Sequence, residues 1–529
     1  MKFSSPYSSF GSLPDLLDHR AIAVPDAVAV RVHAIPYTYA ELWQRSARAQ
    51  GWLRDAGVRR GDSVALLMRN SAAFLDSWLA LARMGAVAVP VNTASVGDAL
   101  HHTLAHSESV GIIADADLLA AVDAAGNLPG LRWRVGVPGE DGALPAGAIE
   151  VSALLDPAND TPAPVRCDGL DPMNIIYTSG TTGLPKGVVL GHGSYLNTGG
   201  YFAHHFGLTP DDVLHTCLPL FHCNAQQTTL MSGLTLGAEV VIDRSFSLSR
   251  FWSWIDRSGA TVTNLLGVML ALLSKREPDE SERCPRLRYV VAAPVPEDLH
   301  RPLEERWGVR IVEGYGLTET GTMACINPPS DTRSGTIGLP LAHNELRIVD
   351  DAGADVGNDV PGQILTRSRI PGAYMLSYFK NPEATAEAMA DGWFHTGDIG
   401  RRRPDGYYVF VDRGKDTIRR RGENISSFLV EKAVLGHGEV AEVAAIGVPS
   451  ELSEEDVKIV VVRRPGSDLT EKDLAEWCDE RLGDFMRPRY VEFRDALPRT
   501  ETGRVQKYLL RGEGVGAAWD RGDERAGRA

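Results

Sequence analysis

"NIIYTSGTTGLPKGVVL", residues 174–190, decides the reading of this chain. "NIIYT" (174–178) has the short apolar run of a buried strand, and "GVVL" (187–190) reads as a second strand leaving the loop. Between them, "YTSGTTGLPKG" (177–187) carries three glycines, four hydroxyls from Thr178, Ser179, Thr181 and Thr182, and one lysine, Lys186. Gly180 and Gly183 let backbone N–H groups approach an anion closely, the hydroxyls add donors, and Lys186 adds charge. The loop therefore reads as a phosphate cradle; the plain alternative is a polar surface turn between two strands. It is not a P-loop, because Leu184 and Pro185 separate Gly183 from Lys186, Gly187 follows the lysine, and a strand rather than a helix comes next.

The same strand rhythm runs outward from this loop. Upstream, Thr38 and Glu41 form a capping-box pair ahead of a helix carrying Leu42, Ala49 and Leu53, which Gly57 can end. "SVALLM" (63–68) and "AVAVPVN" (86–92) are strands flanking a helix through Phe74, Trp78 and Leu81. Downstream, "AEVVI" (238–242), "TVTNLL" (261–266), "LRYVVAA" (287–293) and "VRIVEGYG" (309–316) read as strands, most of them separated by helices. The alternation predicts an α/β fold with parallel sheet. From about 336 to 411 the pattern turns to short strands and Gly/Asp/Pro turns, a β-rich subdomain. Beyond "VDRGKD" (411–416), strands at 441–448, 457–462 and 490–493 and a helix capped by Thr470 predict a compact α+β domain. The chain thus divides into a large N-terminal domain (1–411), a hinge (412–416), a small C-terminal domain (417–512) and a polar, disordered tail (513–529).

At 529 residues and 43% apolar composition the chain has ample core for such domains. Its formal charge of −15, from 54 basic and 69 acidic side chains, argues against nucleic acid as a partner. The N-terminus lacks the apolar run of a signal peptide, and no stretch is apolar enough to span a membrane. Six cysteines without a CxxC pair fit a reducing compartment, so a cytoplasmic location is expected.

"YTSGTTGLPKG" resembles the signature loop of the adenylate-forming superfamily of acyl-CoA synthetases, firefly-type luciferases and peptide-synthetase adenylation domains. Four more stretches match that family in order: "EGYGLTET" (313–320), "YFKNPEATAEAMADGWFHTGD" (378–398), "VDRGKDTIRRRGENIS" (411–426) and "LPRTETGRVQK" (497–507). The resemblance covers roughly residues 10–511. "LPLFHCNAQ" (218–226) and "RRRGENIS" (419–426) look most like the carnitine/crotonobetaine-CoA ligase branch.

The resemblance implies chemistry with ATP, Mg²⁺ and coenzyme A. A carboxylate is a poor electrophile, and attack on the α-phosphate of ATP turns it into an acyl-adenylate with AMP as leaving group. Positioning and electrostatics carry most of such a step. By similarity, Tyr315 lies against the adenine, Thr318 hydrogen-bonds the α-phosphate and Glu319 ligates Mg²⁺, a hard ion suited to carboxylate oxygen. Asp398 accepts the ribose hydroxyls with its two oxygens, and Arg413 reaches ribose or phosphate. The small domain turns about Lys415, with Gly422 leaving room beside the thiol tunnel and His222 gating the acyl pocket. Arg419, Arg420 and Arg421 either face the CoA phosphates or are solvated.

The main departure lies in "TGRVQK". The lysine that serves adenylation in the family is replaced by Arg504. Arginine keeps the charge in a bulkier planar group, so the exchange is not conservative; either Arg504 acts in place or Lys507 takes over. A smaller departure is Ala292-Ala293, where many relatives carry glycines. His215, Cys217, His222 and Cys223 are zinc-ligand types at poor spacing, and Ser179 lacks the G-x-S-x-G context of a hydrolase. The expectation is an ATP-dependent acyl-CoA ligase, monomeric or homodimeric, acting on a small-molecule acid. The alternatives are adenylation with another acid or acceptor, such as carrier-protein loading or nitrite activation for diazotisation, and a non-catalytic nucleotide-binding paralogue.

Overall fold

The computed structural model describes residues 4–140, 142–178, 184–413, 417–452, 454–499 and 505–522. Local signals set many of the element ends. The helix Tyr39–Asp55 opens with both halves of the Thr38/Glu41 capping box in place. Ser71 caps the helix Ala72–Met84, and Gly85 closes it at φ 63°, a left-handed turn that suits a residue without Cβ.

Among the described residues, the strands before residue 344 build two large sheets. In the first, Val87–Pro90, Ser63–Leu67, Gly111–Asp115 and Trp133–Val137 run parallel, and Pro172–Thr178 joins them beside its antiparallel partner Lys186–Gly191. In the second, Arg310–Tyr315, Tyr289–Ala293, Val262–Leu266, Val213–Thr216 and Glu239–Ile242 are parallel in that spatial order. Their near-continuous apolar runs suit strands covered on both faces. Asn344–Val349, Gly362–Ser368, Phe394–Arg402 and Tyr408–Arg413 then pair antiparallel, the β-rich subdomain.

Past residue 416 a hairpin pairs Thr417–Arg420 with Glu423–Ser426. A second small sheet follows, with Val440–Pro449, Glu455–Arg463 and Tyr490–Phe493. The helix capped by Thr470 spans Glu471–Asp479. The tail expected from residue 513 is corrected up to residue 522. Trp519–Asp520 adds an antiparallel strand to Tyr490–Phe493, and Arg521 forks onto Asp479 with two bonds of 2.9 Å. The buried Lys458 ammonium holds the approach by donating to the carbonyls of Gly514 (2.9 Å) and Val515 (3.0 Å).

This C-terminal unit sits on the N-terminal one. Lys432 pairs with Asp98 at 2.5 Å, and a Cβ on Gly483 would lie 2.2 Å from the Ala94 carbonyl. The six cysteines are buried and free. No helix among the described residues is long and apolar enough to cross a membrane.

Candidate active site

Parallel strands deliver their carboxyl ends to one crevice, the usual place for a ligand in open α/β sheets. Tyr315, Ala293 and Leu266 end three such strands, and the segment 217–224 follows a fourth. A cavity of about 820 Å³ opens there between the two units, its lining including Thr178, Lys186, Tyr315, Thr318, Glu319 and Asp398.

The opening loop is strung between cross-strand partners: Thr178 and Lys186 face each other in the antiparallel ladder. Lys186 lays its ammonium 5.0 Å from the Tyr378 ring centroid. The Tyr378 hydroxyl donates to Glu319 Oε1 at 2.9 Å. Burial pushes the Glu319 carboxyl above its ordinary range, Asp398 adds to that, and the Tyr378 bond and the Lys186 charge oppose it. A buried, desolvated carboxylate of this kind gains from a cation. No cluster of three or more ligand side chains occurs among the described residues. One carboxylate fits Mg²⁺, which keeps several waters and relies on substrate phosphates for its remaining ligands.

On the opposite wall the Tyr315 hydroxyl donates to Asp398 Oδ2 at 2.6 Å. Asp398 pairs in the backbone ladder with Arg413. Thr318 Oγ1 receives a long contact of 3.7 Å from the Cys223 thiol. Glu313, absent from the expected residues, also lines the cavity. It is 6% exposed and accepts from the Val295 N–H at 3.0 Å. Burial, reinforced by the Glu297 charge, pushes its carboxyl up to about 8 against that hydrogen bond. Its signal was the first letter of "EGYGLTET", an acidic residue on an apolar strand.

A second, narrower cavity of about 90 Å³ lies at the seam between the units, lined by Asn92, His222, Glu423 and Phe485. The two cavities share Asn424. His222 Nε2 meets Glu423 Oε1 at 3.0 Å across the seam. Burial raises the Glu423 carboxyl, but the His222 charge and hydrogen bond, Arg419 and the Asn92 side chain outweigh it and hold it below the usual range. Gly422 takes φ 84°, and a Cβ there would lie 2.3 Å from Leu266 Cδ1. Glycine therefore suits the hairpin tip where it closes on the strand end, and any other residue there is strained.

Of the three arginines before that glycine, Arg420 is neither solvated nor facing a ligand: it is 8% exposed and paired with Asp456 at 2.8 Å. Arg419 lines the large cavity and pairs with Glu454 at 2.9 Å. Lys507 lies inside the C-terminal unit, 2.7 Å from Glu431 and donating to Ser427 at 2.9 Å. His215 is buried between Thr263 and Asp243 rather than beside His222. Ser179, Gly180, Thr181, Thr182, Gly183, Lys415 and Arg504 lie outside the described residues.

The chain matches the AMP-binding enzyme family over residues 17–379 and the AMP-binding enzyme C-terminal domain over 429–504. It is 31% identical over 515 residues to a crotonobetaine/carnitine–CoA ligase of Escherichia coli, covering 94% of this chain and 97% of the relative. It superposes on a double mutant of o-succinylbenzoate CoA synthetase from Bacillus subtilis, bound to its product analogue OSB-NCoA, with TM-score 0.83 and 27% identity, covering 95% and 99% of the two chains. The same Bacillus subtilis synthetase in complex with AMP gives TM-score 0.68 at 26% identity, over 97% and 100%.

Proposed function

The chain belongs to the AMP-binding enzyme family, in which it is an AMP-forming acid–thiol ligase, and from that premise we propose that it activates a carboxylic acid with ATP as the acyl-adenylate and passes the acyl group to coenzyme A. The observation that carries this reading is the junction of the two cavities at Asn424. An adenylate held in the larger cavity and a thiol entering the narrower one converge there.

In this reading Tyr315 and Asp398 hold the adenosine, and Lys186 and the opening loop hold the phosphates. Glu319 would hold Mg²⁺, which neutralises charge on the departing pyrophosphate. Thr318 hydrogen-bonds the phosphate beside the acid, while His222 and Glu423 line the approach of the thiol. Arg504 supplies the adenylating cation after the small domain turns about the segment at Lys415; the burial of Lys507 against Glu431 favours Arg504 over it for that role. The higher TM-score to the OSB-NCoA complex than to the AMP complex of one synthetase supports reading the present arrangement as the thiol-transfer one.

The test is AMP release from ATP across a panel of acids, each with and without CoA, with thioester detected by mass spectrometry. Turnover of an acid that requires CoA and yields its thioester is expected. AMP release indifferent to CoA would overturn the choice of acceptor.

A further inference from the structure

Thr178 and Lys186 line the large cavity, and the residue before each of them is held by one helix, Gly97–His106. The sheet fixes that helix from one side. Leu100 and Leu104 are buried in a core cluster with Val89, Ile112, Ile175 and Val189, from four strands of the first sheet. His102 and His106 stand one helical turn apart and so share a face. Their rings stack with centroids 5.0 Å apart and planes 24° apart. His102 Nε2 donates to the Pro185 carbonyl at 2.9 Å. Proline has no N–H, so this carbonyl is its only backbone hydrogen-bonding group. The peptide unit is planar, so holding that carbonyl sets the plane that leads into Lys186.

The facing strand is held the same way. Tyr177 and Gly187 are cross-strand partners, and a Cβ on the glycine would lie 3.2 Å from Tyr177 Cζ, so the ring lies over Gly187. The Tyr177 hydroxyl meets His106 Nδ1 at 2.8 Å. Burial pushes the Tyr177 phenol above its ordinary range, against a hydrogen bond to Ser107. Burial also pushes the His106 imidazole down, with the His102 and Lys380 charges adding to that and Glu108 opposing it. A protonated phenol therefore donates to a neutral ring. Phe379 sets its ring edge-on to His106 at 5.7 Å, and its N–H donates to the Gly187 carbonyl at 2.7 Å, which ties the strand after Lys186 into the same cluster. The helix thus grips both strands one residue short of Thr178 and Lys186, which face each other in the ladder. Neither histidine lines either cavity, so both act through the residues they hold. A lysine on a flexible stem gains most from such a fixed starting point.

Resting on the ligase reading above, in which Lys186 holds phosphates that leave as pyrophosphate, we propose that His102 and His106 are positioning residues for ATP, aiming Lys186 and Thr178 at its β- and γ-phosphates. The experiment titrates ATP with Mg²⁺, and separately AMP, into the full-length protein by calorimetry. AMP lacks the β- and γ-phosphates and so reports on the rest of the nucleotide site. His102→Phe keeps a ring to stack on His106 and removes the donor, whereas His102→Gln returns a donor near the place of Nε2. In His102→Phe, Kd for ATP should rise about three- to tenfold, the worth of one net hydrogen bond, while Kd for AMP stays within about twofold of wild type. His102→Gln should restore ATP binding to within about twofold of wild type. Tyr177→Phe deletes only the hydroxyl that meets His106; it should weaken ATP selectively in the same way, and it decides the matter if His102→Phe fails to fold. AMP affinity that falls as far as ATP affinity marks a merely structural role and overturns this inference. ATP affinity that does not fall, or that His102→Gln does not restore, overturns it too, and in each case the ligase reading stands. Wild-type protein that binds neither nucleotide overturns both.

Discussion

Glu313 and Arg504 make the two sharpest tests at the level of single side chains. Glu313 keeps its proton in the folded protein up to about pH 8, whereas the unfolded chain releases it near 4.5. Between those values the folded state binds more protons, so this residue's contribution to stability falls as pH rises. Glu313→Gln should therefore gain on wild type in thermal melts across pH 4.5–8, and the two curves should run parallel outside that window. For Arg504, substitution by alanine should lower ATP–pyrophosphate exchange by about 10²–10³, the usual loss for one charge-stabilising contact. Lys507→Ala should leave exchange within about tenfold and act on the stability of the C-terminal unit, since its ammonium is engaged by Glu431 and Ser427. Contiguous motifs made Lys186, Tyr315, Thr318, Glu319 and Asp398 legible in the sequence, and the structure gathers all five around one cavity. The Cys223–Thr318 contact was not legible, because tertiary folding alone joins residues 95 positions apart.

Two elements turn packing into function. The hairpin tip at Gly422 combines φ 84° with contact on Leu266, so Gly422→Val meets both a strained backbone and a steric block. Conversion of presynthesised acyl-adenylate to thioester should fall at least about tenfold in that variant, while pyrophosphate exchange stays near wild type. The terminal strand Trp519–Asp520 brings with it the carbonyls that satisfy the buried Lys458. Truncation after Gly512 should cost at least about 2 kcal/mol in urea unfolding, the scale of lost hydrogen bonds to a buried charge. Helices with capping boxes, at Thr38 and Thr470, could be read directly from the sequence. The last strand could not, since "GEGVGAAWDRGDE" has a linker's composition, and its one apolar anchor, Trp519, gives no periodicity to detect.

At the scale of the molecule, α/β layers, a β-rich subdomain and a smaller C-terminal domain followed from the order of strand and helix patterns. Their seating did not, because no local pattern encodes that Lys432 meets Asp98 or that Glu423 meets His222. That seating can be trapped. With cysteines introduced at 98 and 432, a short bifunctional maleimide should find them ahead of the native thiols, all of which are buried. The cross-linked protein should still transfer acyl groups from presynthesised adenylate to CoA yet lose pyrophosphate exchange; retention of both would show that the two units need not separate. The same burial bears on chemical self-protection. Desolvation raises every cysteine above its ordinary pKa, including Cys223 beside Thr318. A protein that generates an acylating agent in its own crevice thus keeps its own sulfurs protonated and out of reach, so the acyl group waits for an incoming thiolate instead of marking the chain that made it.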